Sequence, residues 1–409
     1  MKKILYFSIA ALAVAGCAKE LQTTEVENTQ EPKVLNTYTI TAGIDAVKAN
    51  LDEDLNVLWQ AKDSIGLVDA NGVITPAVLD EGSVGKSSGT FTYQAEAEIE
   101  AAYAYYPYTS TGNVCNQKVE GTTLTISLAA SQNMSMDKAC ISQNNLIMAG
   151  KPDVDGKITF KNACAIARIK LSGKENYARR VYLQTPDKKV SGEGTLDLSS
   201  DAPVFVTAPV DEVKEVATSA KLAQRSTAVV VNPWNGSDNR LHVTPEGTTA
   251  TQEGVDPDVY VVLPAGEYTN LCIETLGNTD PSATAAATAV DLAKTSSATL
   301  TFNAGKIRTV NVCLDNPAAT DFGKRANCFL IENTDGGNYC FTTAAGGTNY
   351  EDSKQKIVTK SGYYASLLWE DVQGLVTNVR NDAIGKKIYF TLAEGKKGNA
   401  VIALRARDG

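Results

Sequence analysis

From residue 38 onward, hydrophobic positions recur in short runs of strand length, and residues typical of turns separate these runs. The runs are enriched in Thr, Val, Ile or Tyr, and most are bounded by Gly, Asn, Asp or Pro. They are TYTITAGI, ITFKNACAIARIKLSG, STAVVVN, VYVVLPAG, TNLCIETLG, SATLTFNAG, KIYFTLAEG and NAVIALRA. Helical periodicity is scarce, and the best candidate for a short helix is Asp211 to Leu222. The pattern predicts an all-β fold of antiparallel β-sandwiches rather than a nucleotide-binding α/β fold.

Two interruptions in this succession of strands predict three β-domains. A strand that ends near Ser172 is followed by Gly173-Lys174-Glu175-Asn176, and a Pro-containing linker begins at Asn316. We therefore expect domains at 37–174, 175–315 and 325–409. Within the second domain, the Ala- and Thr-rich segment 280–297 predicts a loose hairpin loop. The pairs Asn71-Gly72 and Asp155-Gly156 predict hairpin turns.

The first twenty residues have the three parts of an export signal: a basic head, an apolar run and a small-residue site. The apolar run from Ile4 to Ala15 holds 12 residues. As a helix it would span only ~18 Å of a ~30 Å hydrocarbon core, too short for a normal membrane span. Val14-Ala15-Gly16-Cys17 matches a lipobox. We expect removal of residues 1–16 and acylation of Cys17; the alternative is a simple secretory signal with an incidental cysteine.

The segment after the predicted signal and the overall charge both fit an exported, solvated protein. Residues 17–36 are polar without apolar periodicity, which predicts a flexible tether. The formal net charge is −9, and loss of Lys2 and Lys3 with the signal changes it by −2, to −11. This charge argues against nucleic acid or anionic lipid as a partner, because both require a basic surface.

Seven cysteines remain after Cys17, so they cannot all pair within one chain. No C-x-x-C spacing is present, which argues against zinc and dithiol redox sites. We predict that Cys164, Cys272 and Cys313, which lie in apolar runs, are small buried side chains. Cys328 and Cys340 flank a Gly-rich turn and are candidates for a hairpin disulfide.

Candidate catalytic and metal-binding residues are few. His242 is the only histidine, so a hydrolase triad or a multi-histidine metal site has no base or ligand set, and we interpret His242 as structural. The adjacent carboxylates 52–54 could bind a hard cation, but a solvated loop is favoured. The segment 151–156 begins like a calcium loop but lacks its final Glu, so a β-turn is favoured.

Aromatic residues offer a second kind of site. The cluster Tyr103-Ala-Tyr105-Tyr106-Pro-Tyr108 and the tryptophans Trp59, Trp234 and Trp369 could form a platform on which sugars stack. Trp59 and Trp369 have apolar neighbours in strand-like runs, so we predict that both pack in the core. A pair of carboxylates suited to glycoside hydrolysis stays open, although no spacing singles one out.

Several segments, in order along 37–315, resemble the fimbrillin family, the lipoprotein subunits of type V pili and related surface proteins of Bacteroidales. They are Leu58-Trp59-Gln-Ala-Lys-Asp63-Ser-Ile-Gly66-Leu67, the tyrosine cluster 103–108, Asn145-Leu-Ile-Met-Ala149, Thr159-Phe-Lys-Asn-Ala-Cys-Ala-Ile-Ala-Arg-Ile169 and Leu263-Pro-Ala-Gly-Glu-Tyr268. The resemblance implies two tandem transthyretin-like sandwiches. The tail from Ala326 resembles a further β-domain in which more residues follow, so we expect a smaller, truncated domain that lacks the strand needed to complete its last hairpin.

The resemblance also implies donor-strand exchange, in which a protease removes the first strand and a strand of the next subunit fills the groove. Here the first strand would be Tyr38 to Ile44. The protease of that system cuts after arginine, yet this chain has no arginine before Arg168. Lys48 is the only basic residue in the following loop, so it is the candidate processing site. Without cleavage there, the strand and the lipid both remain.

We therefore expect a non-enzymatic surface lipoprotein of the outer membrane, or of the fimbria itself, with no cofactor or metal. Its expected partners are other pilus subunits or its own copies through strand exchange, the outer membrane through the lipid, and a host or glycan ligand. Nucleic acid is not an expected partner. The first alternative is a glycan-binding surface lipoprotein, and the second is a hydrolase that uses carboxylates.

Overall fold

The computed structural model describes residues 34–45, 57–109, 117–135, 140–141, 145–174, 176–186, 188–207, 228–232, 241–243, 258–278, 289–323, 328–331, 335–342, 363–382 and 387–406. The ordered elements of these residues are 29 strands and one 3-10 helix, Glu81–Ser83. The predicted all-β fold is therefore confirmed. No helix in this part of the chain is long and apolar enough to cross a membrane. The predicted helix 211–222 lies outside the described residues.

The strands follow the short hydrophobic runs of the sequence. In chain order they are β1 Asn36–Ile44, β2 Ser64–Asp69, β3 Ile74–Leu79, β4 Ser88–Ala95, β5 Ala101–Tyr106, β6 Lys118–Glu120, β7 Thr123–Leu128, β8 Ser131–Ser135, β9 Cys140–Ile141, β10 Met148–Pro152, β11 Ile158–Asn162, β12 Ala165–Ser172, β13 Asn176–Gln184, β14 Gly192–Asp197, β15 Val206–Thr207, β16 Ala228–Asn232, β17 Leu241–Val243, β18 Asp258–Leu263, β19 Gly266–Tyr268, β20 Leu271–Asn278, β21 Ala289–Ser296, β22 Leu300–Phe302, β23 Ile307–Cys313, β24 Thr320–Asp321, β25 Gly337–Thr342, β26 Tyr363–Glu370, β27 Val376–Asp382, β28 Lys387–Leu392 and β29 Ala400–Ala406.

The N-terminal strands form a closed barrel in the order β1-β11-β10-β5-β2-β3-β4, in which β4 pairs back onto β1. Alternation along each strand directs one set of side chains inward. In β4, for example, Phe91 and Tyr93 are buried while the residues between and beside them are more exposed. The predicted turn at Asn71-Gly72 is confirmed, since Asp69 Oδ1 accepts the Asn71 and Val73 N–H groups and Gly72 has φ +81°.

Strand β12 directly follows the barrel strand β11 in the chain but belongs to a different sheet. It pairs antiparallel with β18 and parallel with β23, in a three-stranded sheet. All six residues of β18 are buried, as expected for a continuous apolar strand inside a protein. Because β12 precedes the predicted boundary at 174, hydrogen-bonded pairing crosses that boundary.

A larger sheet joins the second and third sequence ranges. In it, β21 lies between β20 and β27, so the pairing also crosses the predicted boundary at 315. The expected loose loop at 280–297 is wrong for residues 289–296, which form β21. Backbone pairing with β20 on one side and β27 on the other holds this segment as a strand although it has few bulky residues. The Thr295 Oγ1 also donates to the Ala365 carbonyl at 2.6 Å.

The hydrophobic core is unevenly distributed. One large cluster of buried side chains extends from the barrel to β18 and β23. A smaller one lies in the C-terminal region and contains Tyr339, Ala365, Leu367, Val376, Val379, Ile388 and Phe390. The cluster between Ala42 and Leu314 thus contains many more buried apolar side chains than the C-terminal one, and apolar burial is the main favourable contribution to folding.

Candidate strand-exchange and ligand-binding sites

Strand β1 closes the barrel through two ladders. It pairs antiparallel with β4 from Asn36↔Ala95 to Gly43↔Ser88, and parallel with β11 only from Ala42↔Ile158 to Ile44↔Phe160. The first ladder therefore extends along almost the whole strand, whereas the second covers only its end. Removal of β1 would leave β4 and part of β11 as unpaired edges, which attract other strands.

The inner face of β1 carries residues that fit a groove in the barrel wall. Tyr38, Ile40 and Ala42 alternate with exposed threonines, Ala42 is fully buried, and Ile44 follows the buried Gly43. The Tyr38 ring stacks on Tyr93 with a centroid distance of 5.5 Å. These four side chains are the ones that a replacing strand would have to imitate.

The predicted processing site, Lys48, follows β1 in the sequence. The Asp45 N–H, at the end of β1, donates to the Phe160 carbonyl at 2.8 Å. Lys48 and the carboxylates 52–54 follow within residues 46–56, which lie outside the described residues. Processing at Lys48 therefore stays a prediction.

Trp59 is a core residue, as predicted. It is 1% exposed and makes edge-to-face contacts with Phe91, Tyr106 and Phe160 at centroid distances of 4.9, 5.6 and 5.8 Å. Such aromatic contacts add to the free energy gained from burial. With its ring enclosed on these sides, Trp59 has no face available for a sugar.

A buried acid holds the tyrosine cluster in place. Asp63 Oδ1 accepts the Tyr106 hydroxyl at 2.9 Å, and Oδ2 accepts the Gln60 N–H at 2.7 Å. Burial raises the pKa of the Asp63 carboxyl, and the two hydrogen bonds oppose that effect. Burial, followed by the charge of Asp63, raises the pKa of Tyr106. The Tyr105 ring is also buried, so neither tyrosine belongs to a surface platform.

The exposure of Trp369 contradicts the prediction made from the sequence. It is 51% exposed, and its neighbour Leu368 is 56% exposed, so the predicted core position is wrong. The reason is an irregular register: Leu367 pairs with Ile402 and Trp369 with Val401, which leaves Leu368 as an extra residue. A bulge of this kind breaks the alternation that would have turned one of the two side chains inward. Trp369 is therefore a candidate for ligand contact.

The cysteines differ in how deeply they are buried, and burial changes the pKa of some of their thiols. Cys164 and Cys272 are fully buried, as predicted, and burial raises the pKa of the Cys164 thiol to about 12; Cys313 is only half-buried. The predicted Cys328–Cys340 disulfide is absent, because both are free thiols. Cys328 is exposed, whereas Cys340 is buried in β25, where burial and then the Asp321 carboxylate raise the pKa of its thiol.

The remaining candidate residues lie partly inside and partly outside the described residues. No group of acidic, histidine or cysteine side chains suited to a metal occurs in the described part of the chain. Asp153 Oδ1 instead accepts the Asp155 and Lys157 N–H groups, which confirms the β-turn there. His242 lies on β17, opposite Tyr177 of β13. Cys17 and Trp234 lie outside the described residues, so lipidation of Cys17 stays a prediction.

Comparison with known proteins finds similarity among solved structures only. No protein-family model and no curated protein matches the chain. A proposed cell adhesion protein from Bacteroides ovatus ATCC 8483 is 12% identical, with a TM-score of 0.40, over 70% of this chain and 94% of that one. A proposed cell adhesion protein from Bacteroides thetaiotaomicron VPI-5482 is 14% identical, with a TM-score of 0.31, over 67% and 93%.

A fimbrial protein from Bacteroides ovatus ATCC 8483 is 13% identical, with a TM-score of 0.29, over 82% of this chain and 57% of that one. These names belong to the kinds of protein that the sequence segments resemble. The identities and TM-scores are too low for the likenesses to assign a family or an activity to this chain.

Proposed function

We propose that this protein is a fimbrillin-like lipoprotein of the cell surface that acts in fimbria assembly, in adhesion or in both, without enzymatic activity. The lipobox at Cys17 and the strand-dominated fold support an exported, anchored protein. The observation that carries the assembly role is the position of β1, a first strand that closes the barrel and is followed in the sequence by a segment containing Lys48.

The geometry of β1 suits donor-strand exchange. A strand from another subunit could take over the backbone hydrogen bonds along β4, and its alternate side chains could replace Tyr38, Ile40, Ala42 and Ile44. The donor would come from another pilus subunit or from a second copy of this chain. Such exchange requires that β1 first leave the barrel.

In the form that we propose to dominate, β1 and the lipid both remain. No arginine precedes Arg168, and Lys48 is the only basic residue between β1 and Val57. A subunit with this sequence suits an anchor in the outer membrane, or a stand-alone surface lipoprotein, better than a fimbrial stalk.

Gel analysis of cell-surface extracts tests the assembly role. A polymer held together by exchanged strands should give a ladder of bands that collapses to one band on heating. If cleavage occurs at Lys48, Lys48→Gln should abolish the ladder, whereas the control Lys397→Gln, an exposed residue far along the chain, should leave it intact. A single monomeric band under every mild condition, with an intact N-terminal region, rejects a stalk role.

A second candidate function, glycan binding, is favoured by one observation: the exposed ring of Trp369 beside Leu368. An exposed indole offers a flat apolar face on which a sugar ring can pack. Affinity electrophoresis in polysaccharide gels tests it. Trp369→Ala should abolish the retardation while Leu368→Ala, its matched neighbour, should preserve most of it; equal retardation of both variants would remove Trp369 from any glycan site.

A further inference from the structure

The barrel wall between β1 and β5 is only partly filled. The hairpin of β10 and β11 occupies this part of the wall, but it turns back at residues 153–156. On one side its pairing with β1 begins at Ala42, and on the other its pairing with β5 ends at Ala104. Beyond the turn lies a cleft of about 780 Å³, between β1 and residues 98–101.

Strand β1 presents an open edge to this cleft. The Ile44 N–H donates toward β4, to the Ser87 carbonyl, and the Asp45 N–H donates toward β11, to the Phe160 carbonyl. Because backbone groups alternate along a strand, those of Thr37 and Thr39 face the same side as those of Asp45. In the part of the chain that the structure describes, no strand pairs with these two residues on that side. An edge of this kind can accept a further strand.

The walls of the cleft are acidic and include one exposed apolar side chain. Glu98 and Glu100 on one side and Asp153 and Asp155 on the hairpin turn give four negative charges against the single positive charge of Lys157. Val154, at the tip of the turn, is fully exposed. An occupant that complements these walls therefore carries basic side chains, and it can cover Val154 with an apolar one.

We propose that this cleft binds an extended, lysine- or arginine-bearing segment of another protein, which adds as a strand to the Thr37–Thr41 edge of β1. The tether of this chain does not have the required charge, because residues 17–36 contain four glutamates and two lysines. The proposal does not rest on the proposed assembly role. It requires β1 to be in place and therefore concerns the uncleaved protein.

A pair of synthetic peptides tests the proposal on the purified, uncleaved protein. The first, with blocked ends, alternates valine and lysine over seven residues, and the second has glutamate in place of each lysine. The lysine peptide should bind, and its affinity should fall as salt is added. The glutamate peptide should not bind. On binding, hydrogen exchange of the Thr39 amide should slow. Equal binding of both peptides, or slowed exchange only elsewhere, would overturn the proposal.

Charge-reversal variants locate the binding. Glu98 and Glu100 are both exposed, so Glu98→Lys with Glu100→Lys should leave the fold intact. This double variant should lower the affinity for the lysine peptide by about tenfold. The matched control Glu81→Lys with Glu394→Lys makes the same change of net charge at exposed sites outside the cleft and should change affinity less than about twofold. An equal loss of affinity in both double variants would show that the effect comes from net charge alone, and it would reject binding of the peptide in the cleft.

A third measurement excludes a second copy as the occupant. The uncleaved protein alone should sediment as a monomer, and its Thr39 amide should exchange at a rate that is independent of protein concentration. Concentration-dependent protection of Thr39 without peptide would show that another copy of the chain fills the cleft, which contradicts a separate basic partner.

Discussion

Trp59 and Trp369 each follow a leucine in an apolar run, yet one is 1% and the other 51% exposed. Trp59 lies inside a barrel whose strands close around it. Trp369 lies on β26, whose sheet has only one other strand, β29, among the described residues. Local sequence is similar at the two sites, so the difference comes from their surroundings: Trp59 precedes β2 and packs in the large core cluster, whereas Trp369 lies on a two-stranded sheet. Whether each tryptophan is buried therefore depends on whether the surrounding strands close around it.

The largest expected contrast is between alanine substitutions of these two residues. Trp59→Ala should lower the free energy of unfolding by about 3–5 kcal/mol, because it leaves a large cavity among three aromatic rings. Trp369→Ala should lower it by less than about 1 kcal/mol. Denaturant unfolding curves measure both values.

Trp59→Phe is the control for the larger effect. The Trp59 Nε1 has no hydrogen-bond partner in the described structure, so phenylalanine loses volume but no polar contact. It should cost clearly less than alanine does. A cost for Trp369→Ala equal to that for Trp59→Ala would break the comparison.

The next contrast tests the bulge in β26. Leu367 is 7% exposed and belongs to the small C-terminal core, whereas Leu368 is 56% exposed. Leu367→Ala should cost about 2–3 kcal/mol of unfolding free energy, and Leu368→Ala less than about 0.5 kcal/mol. Thermal unfolding followed by circular dichroism compares the two variants, and similar melting temperatures would place the bulge elsewhere.

A smaller effect is expected for the hydrogen bond that anchors the tyrosine cluster. Tyr106→Phe removes the hydroxyl that donates to Asp63 but keeps the ring against Trp59. It should cost about 1–2 kcal/mol, because a buried acceptor loses one partner. Chemical denaturation at neutral pH checks the value, and a neutral or stabilising substitution would show that Asp63 does not depend on Tyr106.

The smallest predicted effect is a pH dependence from Asp63. Burial raises its pKa in the folded state above the unfolded value, so the unfolded chain releases this proton first. The stability contributed by Asp63 is present below the unfolded pKa and is lost as the pH rises through the folded pKa. Asp63→Asn should remove this slope from a plot of unfolding free energy against pH. An unchanged slope in the variant would assign it to another group.

Local pattern predicted the strands well, but it gave no prediction of which strands pair. The all-β fold, the turn at Gly72 and the core position of Trp59 follow from alternation and turn residues, which act within a few positions. The pairing of β12 with β18 and β23 joins residues far apart in the chain, and no local period encodes it.

The sequence predictions for β21 and for Trp369 were wrong because strand pairing, which the local sequence does not show, decides the structure at both places. The segment of β21 has few bulky residues, so its sequence predicts a loop, although two neighbouring strands hold it by backbone hydrogen bonds. The sequence around Trp369 predicts core packing because a one-residue bulge leaves no mark on the hydrophobic pattern. The open edge of β1 was missed as well, because it depends on where a distant hairpin turns back.

Mass spectrometry of the N-terminal peptide of the protein taken from the cell surface tests the central claim most directly. We predict an acylated Cys17 followed by an uncut chain through Lys48, as expected for a surface lipoprotein that keeps β1 and its lipid. A chain that starts at Ala49, or one that retains Cys17 without a lipid, would contradict a persistent anchor.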